Sequence, residues 1–107
     1  MLNVLDGIPW NAERMGRREI VNEKALMLMQ IALQPGQAMP DHKANADVHL
    51  LVMQGQLEVV LAGQSHQLKA GDIIPAAYQT PMQIKNNGSD NTMFLVLKTP
   101  NPSEFRN

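Results

Sequence analysis

The sequence predicts one all-β domain, a sandwich or barrel of seven or eight short strands. Strand-like runs recur at spacings of about ten residues between Leu26 and Leu97. Helix-type periodicity is poor throughout. Compact turn signals punctuate the runs, among them Gln34-Pro35-Gly36, Ala62-Gly63 and Asn87-Gly88-Ser89-Asp90.

Taken in order, residues 11–19 offer at most a turn of helix, which Gly16 interrupts. Leu26, Leu28 and Gln30 then alternate with Met27, Met29 and Ile31, an almost wholly apolar stretch suited to a strand buried on both faces. Val48 to Met53 is the next apolar run, ended by Gln54-Gly55. Gln56–Leu61 and Gln64–Lys69 flank Ala62-Gly63 and read as a hairpin, which Ala70-Gly71-Asp72 closes. Ile73-Ile74 begins a short strand that Pro75 should cut off, Pro81 to Asn86 makes another, and Thr92 to Leu97 is the last.

Length and composition bound the function. A chain of 107 residues suits one domain, expected to span residues 1–107 with its barrel core at 17–98 and peripheral flanks at 1–16 and 99–107. The 44% hydrophobic content lies well above the disordered range. Net charge is −1, and the densest basic spot, Arg14, Arg17 and Arg18, is too small for a nucleic-acid footprint. The absence of cysteine excludes disulfides, thiolate metal sites and a Cys nucleophile, and it fits a reducing compartment. No apolar run approaches the roughly 20 residues that span a bilayer, and the N-terminus has no basic and apolar leader pattern. The expectation is therefore a cytoplasmic protein without nucleic-acid or membrane partners. With only 4% aromatic residues, the eight methionines should fill much of the core.

Two stretches resemble the paired motifs of the cupin superfamily and together cover about half of the chain. In the first, Gly36 is followed by Gln-Ala-Met-Pro-Asp and His42, and Gly55 stands at the closing glycine. In the second, Gly71-Asp72-Ile73-Ile74 opens the motif, Pro81 keeps its place and Asn86 ends it. The resemblance, to a small single-domain cupin of the RmlC-like kind, implies a double-stranded β-helix, or jelly-roll barrel, of about eight or more strands.

It also implies a metal held by two histidines and a glutamate from the first motif and a histidine from the second. Carried over position by position, His42 matches the first ligand, but Ala44, Val48 and Met82 stand at the other three. One imidazole cannot fill the inner-sphere sites that iron, manganese or zinc requires. His49 reaches the glutamate position if the longer spacing variant is counted, and a one-residue change of register would turn it inward. Alternation leaves open whether Val48 or His49 faces the barrel. If His49 did, then His42, His49 and Met82 would form a nitrogen and sulfur set better suited to copper than to iron.

No Ser-His-Asp or paired-carboxylate spacing stands out, and there is neither a phosphate loop nor a dinucleotide fingerprint. The epimerase-type cupins use a His–Asp pair, for which His42 with Asp41 or Asp47 is a poor substitute. His66 is expected at the surface. The expected pocket comprises His42, Ala44, Val48, Leu50, Val52, Met82 and Ile84, with the Tyr78 hydroxyl at its rim. The favoured reading is a homodimeric barrel protein that binds an unidentified small molecule in an apolar pocket without metal or other cofactor, and that is not an enzyme. One alternative is a cupin oxygenase or isomerase using one divalent transition metal; a second is a structural or interaction module with a filled barrel.

Overall fold

The structure is a computed structural model that describes residues 1–105. Among these residues nine strands form: β1 (Gly16–Asn22), β2 (Met27–Leu33), β3 (His42–Lys43), β4 (Asp47–Gln54), β5 (Gln56–Leu61), β6 (Gln64–Lys69), β7 (Ile73–Ala76), β8 (Pro81–Lys85) and β9 (Thr92–Thr99). A 3-10 turn at Pro102–Phe105 follows. The strands make a five-stranded sheet of order β1-β2-β9-β4-β7 and a four-stranded sheet of order β3-β8-β5-β6. Every strand pair is antiparallel. No helix among the described residues is long and apolar enough to cross a membrane.

Residues paired across an antiparallel ladder share a face, so the register sorts the interior into layers. On the inner face of the larger sheet the layers are Ile31–Phe94–Val52, Met29–Val96–Leu50 and Met27–Lys98–Val48. The opposing sheet supplies Val59–Ile84 and then Leu61–Met82–His42. At one end of the barrel Leu33, Val52, Leu57, Val59 and Phe94 are all 0% exposed. Phe94, one of only two phenylalanines in the chain, lies in this end; toward Lys98 and His42 the side chains are shorter or unbranched.

The sequence motifs work at that closed end. Asn86, just past β8, is fully buried, and its carboxamide donates to the Leu33 carbonyl at 2.9 Å and the Asp90 carbonyl at 2.8 Å. Its side-chain oxygen accepts the Gly88 N–H at 3.0 Å. Its backbone carbonyl accepts the Gly36 N–H, and its N–H donates to the Gln37 carbonyl, both at 2.9 Å. The first motif's glycine and the second motif's asparagine are thus laced to each other. Gly55 lies where the chain crosses from one sheet to the other, with φ of +78°. A Cβ there would stand 2.4 Å from the Asn91 carbonyl oxygen, so the position excludes a side chain on both torsional and steric grounds.

Three elements differ from the sequence reading. β1 occupies a stretch that offered only a helical turn; it is a polar edge strand, Gly-Arg-Arg-Glu, whose pairing to β2 decides its conformation. β3 is two residues long, too short to carry a pattern. β7 runs through Pro75 to Ala76 rather than stopping before it. It lies at a sheet edge and pairs only with β4, where a residue lacking an N–H is tolerated. β2, by contrast, is buried on both faces as its sequence suggests. Its outward Gln30 is fully enclosed, donating to the Val4 carbonyl of the N-terminal segment and accepting from Arg18 Nε at 2.8 Å.

Replacing Asn86 with alanine strands the buried Leu33 carbonyl and unties the lacing, a loss on the order of 3 kcal/mol. Urea unfolding of Asn86→Ala should show a lowered midpoint with an unchanged m-value, whereas Asn87→Ala, at an exposed position, should shift it little.

Candidate functional site

The open half of the barrel encloses a cavity of about 230 Å³. Thioethers of Met15, Met29, Met39 and Met82 and branched side chains of Ile31, Val48, Leu50, Ile84 and Val96 line it, together with Ala44 and Pro40. Met15 and Arg17 come from the β1 side, while Met39, Pro40 and His42 come from the β3 side, and both are edge strands. The polar side chains in the lining are Arg17, His42, Asn45 and Lys98.

The register at β4 is settled by burial: Val48 is 3% exposed and faces the cavity, while His49 is exposed on the outer face in the row Leu28–Leu97–His49–Pro75. The arrangement His42, His49 and Met82, considered from sequence as a metal set, is therefore split between two faces. His42 and Met82 are direct cross-strand partners, and Ala44 and Met82 are 2% and 3% exposed in the wall. His42 Nδ1 lies 2.9 Å from the Pro40 carbonyl oxygen. A carbonyl only accepts, so that bond places the ring proton on Nδ1 and leaves Nε2 as the one remaining ring nitrogen. No group of three or more His, Cys, Asp or Glu side chains that could hold a metal occurs among the described residues. The residues present do not fit the metal centre that the fold family implies.

The His–Asp pair considered from sequence is likewise not assembled. Asp41 accepts from Gln83 Nε2 at 3.2 Å, and Asp47 accepts the Tyr78 backbone N–H at 2.9 Å. His42, Ala44, Val48, Leu50, Met82 and Ile84 all line the cavity. Val52 and Tyr78 do not. Val52 pairs with Phe94 in the layer beneath, so it belongs to the packed floor. Tyr78 is 42% exposed in the turn after β7. His66, expected at the surface, is half-buried opposite Val59 on the edge strand β6.

Sequence reasoning missed the two cations of the lining. Lys98 continues the inward series Phe94, Val96, Lys98, a period-two signal that is present in the sequence but lies past the last apolar residue. Arg17 carries no such signal, because its strand was not evident. Lys98 is half-buried, and its pKa is lowered from the ordinary lysine range, first by desolvation and second by the positive charge of Arg17.

A β-barrel of two facing antiparallel sheets, open at one end and with apolar side chains where a metal centre would draw its ligands, defines a double-stranded β-helix of degenerate-site type. The Cupin domain family model matches residues 29–98, and the chain belongs to that family. An uncharacterised protein of Methanocaldococcus jannaschii, MJ0764, is 33% identical over 88 residues, 81% of this chain and 76% of that protein. Its crystal structure, described as an RmlC-like cupin with a double-stranded β-helix fold, superposes with a TM-score of 0.80 at 32% identity, covering 88% of this chain and 87% of that one. TT1209 of Thermus thermophilus shares the fold with a TM-score of 0.88 at 21% identity, covering 95% and 98% of the two chains. An RmlC-like cupin of Desulfovibrio desulfuricans does so at 0.84 and 19%, covering 94% and 96%.

Because desolvation and Arg17 both disfavour the Lys98 ammonium, the folded protein holds that proton more weakly than the unfolded chain. Stability is therefore reduced while Lys98 is charged and regained as pH rises through its lowered pKa toward the unfolded value of 10.5. Lys98→Met should raise the unfolding free energy at pH 7 by a few tenths of a kcal/mol, a figure discounted for solvent screening of a half-exposed group. Thermal melts should show that gain shrinking as pH rises toward 10.5.

Proposed function

We propose that this cupin barrel binds a small, largely apolar molecule in its open half and holds it without inner-sphere metal coordination. The observation that carries the reading is the cavity of about 230 Å³, whose wall consists mainly of methionine and aliphatic side chains. A cavity of this size and chemistry suits a small ligand. Methionine side chains adapt to irregular shapes and favour apolar contact, so the wall can close around a molecule without a rigid template.

Two features support this reading over the alternatives. An oxygenase or isomerase of the metal-dependent kind needs several nitrogen or carboxylate donors at one point, and Ala44, Val48 and Met82 offer none at the family's ligand positions. A filled barrel serving only as a structural module would need larger side chains at those same places.

Four of the eight methionines line the cavity, which makes their methyl groups natural reporters. Titrating 1-hexanol into protein labelled with ¹³C at the methionine methyls should shift Met15, Met29, Met39 and Met82 and leave Met1 and Met53, which do not line the cavity, in place. Ala44→Leu, which adds bulk inside the wall, should weaken that response about tenfold. No shift at any of the four methyls at millimolar 1-hexanol would sink the reading.

Elemental analysis after incubation with iron, manganese, zinc or copper and exhaustive dialysis should find well under one metal per chain. One equivalent that disappears in His42→Ala would instead favour the metal-dependent alternative.

A further inference from the structure

We propose that the molecule held in the barrel carries one anionic group, bound between Arg17 and Lys98, the two cations of the cavity lining. This rests on the cavity reading above and specifies the chemical class of the ligand.

Arg17 lies on the edge strand β1 and Lys98 on β9, with β2 between them, yet both side chains line the same cavity. Among the described residues no Asp or Glu does. Among them, too, the one ion pair within 4.0 Å is Lys69–Asp72, on the hairpin, so neither cavity cation is matched by a carboxylate there. Glu19 occupies the same sheet face as Met29, but it lies outside the cavity lining and accepts a hydrogen bond from Asn22 Nδ2 at 3.3 Å. The two remaining polar side chains, His42 and Asn45, carry no negative charge.

Folding gains nothing from this arrangement. Lys98 is half-buried at a position where the alternation of β9 would accept another Val or Leu, and the charge of Arg17 opposes its own. Two like charges facing one apolar space cost free energy unless an opposite charge joins them, and a charged partner there makes stronger, shorter hydrogen bonds than a neutral one. An anionic group beside them would supply that charge while the rest of the molecule lies on the methionine and aliphatic wall.

The cavity also limits size. At roughly 30 Å³ per water-sized unit, about 230 Å³ holds about seven or eight such units, the scale of a six-carbon carboxylate.

Hexanoate, 1-hexanol and hexylamine share a chain and differ in the charge of the head, so titrating each at pH 7 and low salt isolates the head group. The readout is the methyl shift of Met15, Met29, Met39 and Met82, on the full chain and on Arg17→Gln and Lys98→Met. Hexanoate should bind at least tenfold more tightly than 1-hexanol, and hexylamine more weakly than either. Each substitution should cut the hexanoate-to-hexanol ratio several-fold. Because the ratio is taken within one sample, partial unfolding of a variant does not mimic the effect. Equal binding of hexanoate and 1-hexanol by the parent chain, or a ratio unmoved in both variants, would overturn anion recognition and leave the apolar cavity standing. Failure of all three compounds to move the four methyls would overturn the cavity reading and this inference together.

Discussion

The barrel depends on a buried carboxamide. Asn86 joins Leu33 at the end of β2, Asp90 in the loop before β9, and the Gly36 turn, so one side chain and its backbone tie both sheets at the closed end. Buried polar groups are stable only when fully partnered, and each partner of Asn86 is fixed by a different segment. The geometry is therefore specified as a unit. With the closed end held in this way, and with Phe94 and its aliphatic neighbours packed above it, the opposite end need not be filled to keep the sheets in register.

The open end is where this chain departs from a metal-binding cupin. Substituting Ala44, Val48 and Met82 at the family's ligand positions removes donor atoms and also changes the solvent character of the space. A carboxylate and two imidazoles would draw water and a cation; a methyl, an isopropyl group and a thioether favour apolar contact. His42 is retained, but one ring nitrogen is engaged by the Pro40 carbonyl, and its cross-strand neighbour is Met82. It stands at the rim of an apolar chamber. The charged side chains in the cavity lining are both cations, and burial and Arg17 together disfavour the charge of Lys98, a conflict expected at sites kept for something other than folding.

Much of the fold was legible in the sequence because its signals are local. Gly55 is required by a positive φ and a close carbonyl, Asn86 by a set of partners at fixed spacing, and the Gln56–Lys69 hairpin by Ala62-Gly63 at its turn. β1 and β3 were not legible. One is a polar edge strand that gains its conformation from β2, and the other has only two residues. Since the β1 side supplies Met15 and Arg17, that part of the cavity lining was hidden with it, whereas His42 was legible from its motif spacing.

The sequence by itself determined that this is a cupin-type β-barrel with Ala44, Val48 and Met82 in place of the histidines and glutamate at three of the four metal-ligand positions, since residue type and spacing along the chain are sufficient for both statements. Only the tertiary structure decided that Val48 rather than His49 faces inward, because both faces of β4 are largely apolar and the choice follows from pairing to β7 and β9. It alone brought Arg17 to the same cavity as Lys98, since those residues are 81 positions apart and meet only through the order β1-β2-β9. Periodicity reports which residues share a face of one strand. Which strand lies beside it, and therefore which charges meet across a cavity, is a property of the closed barrel.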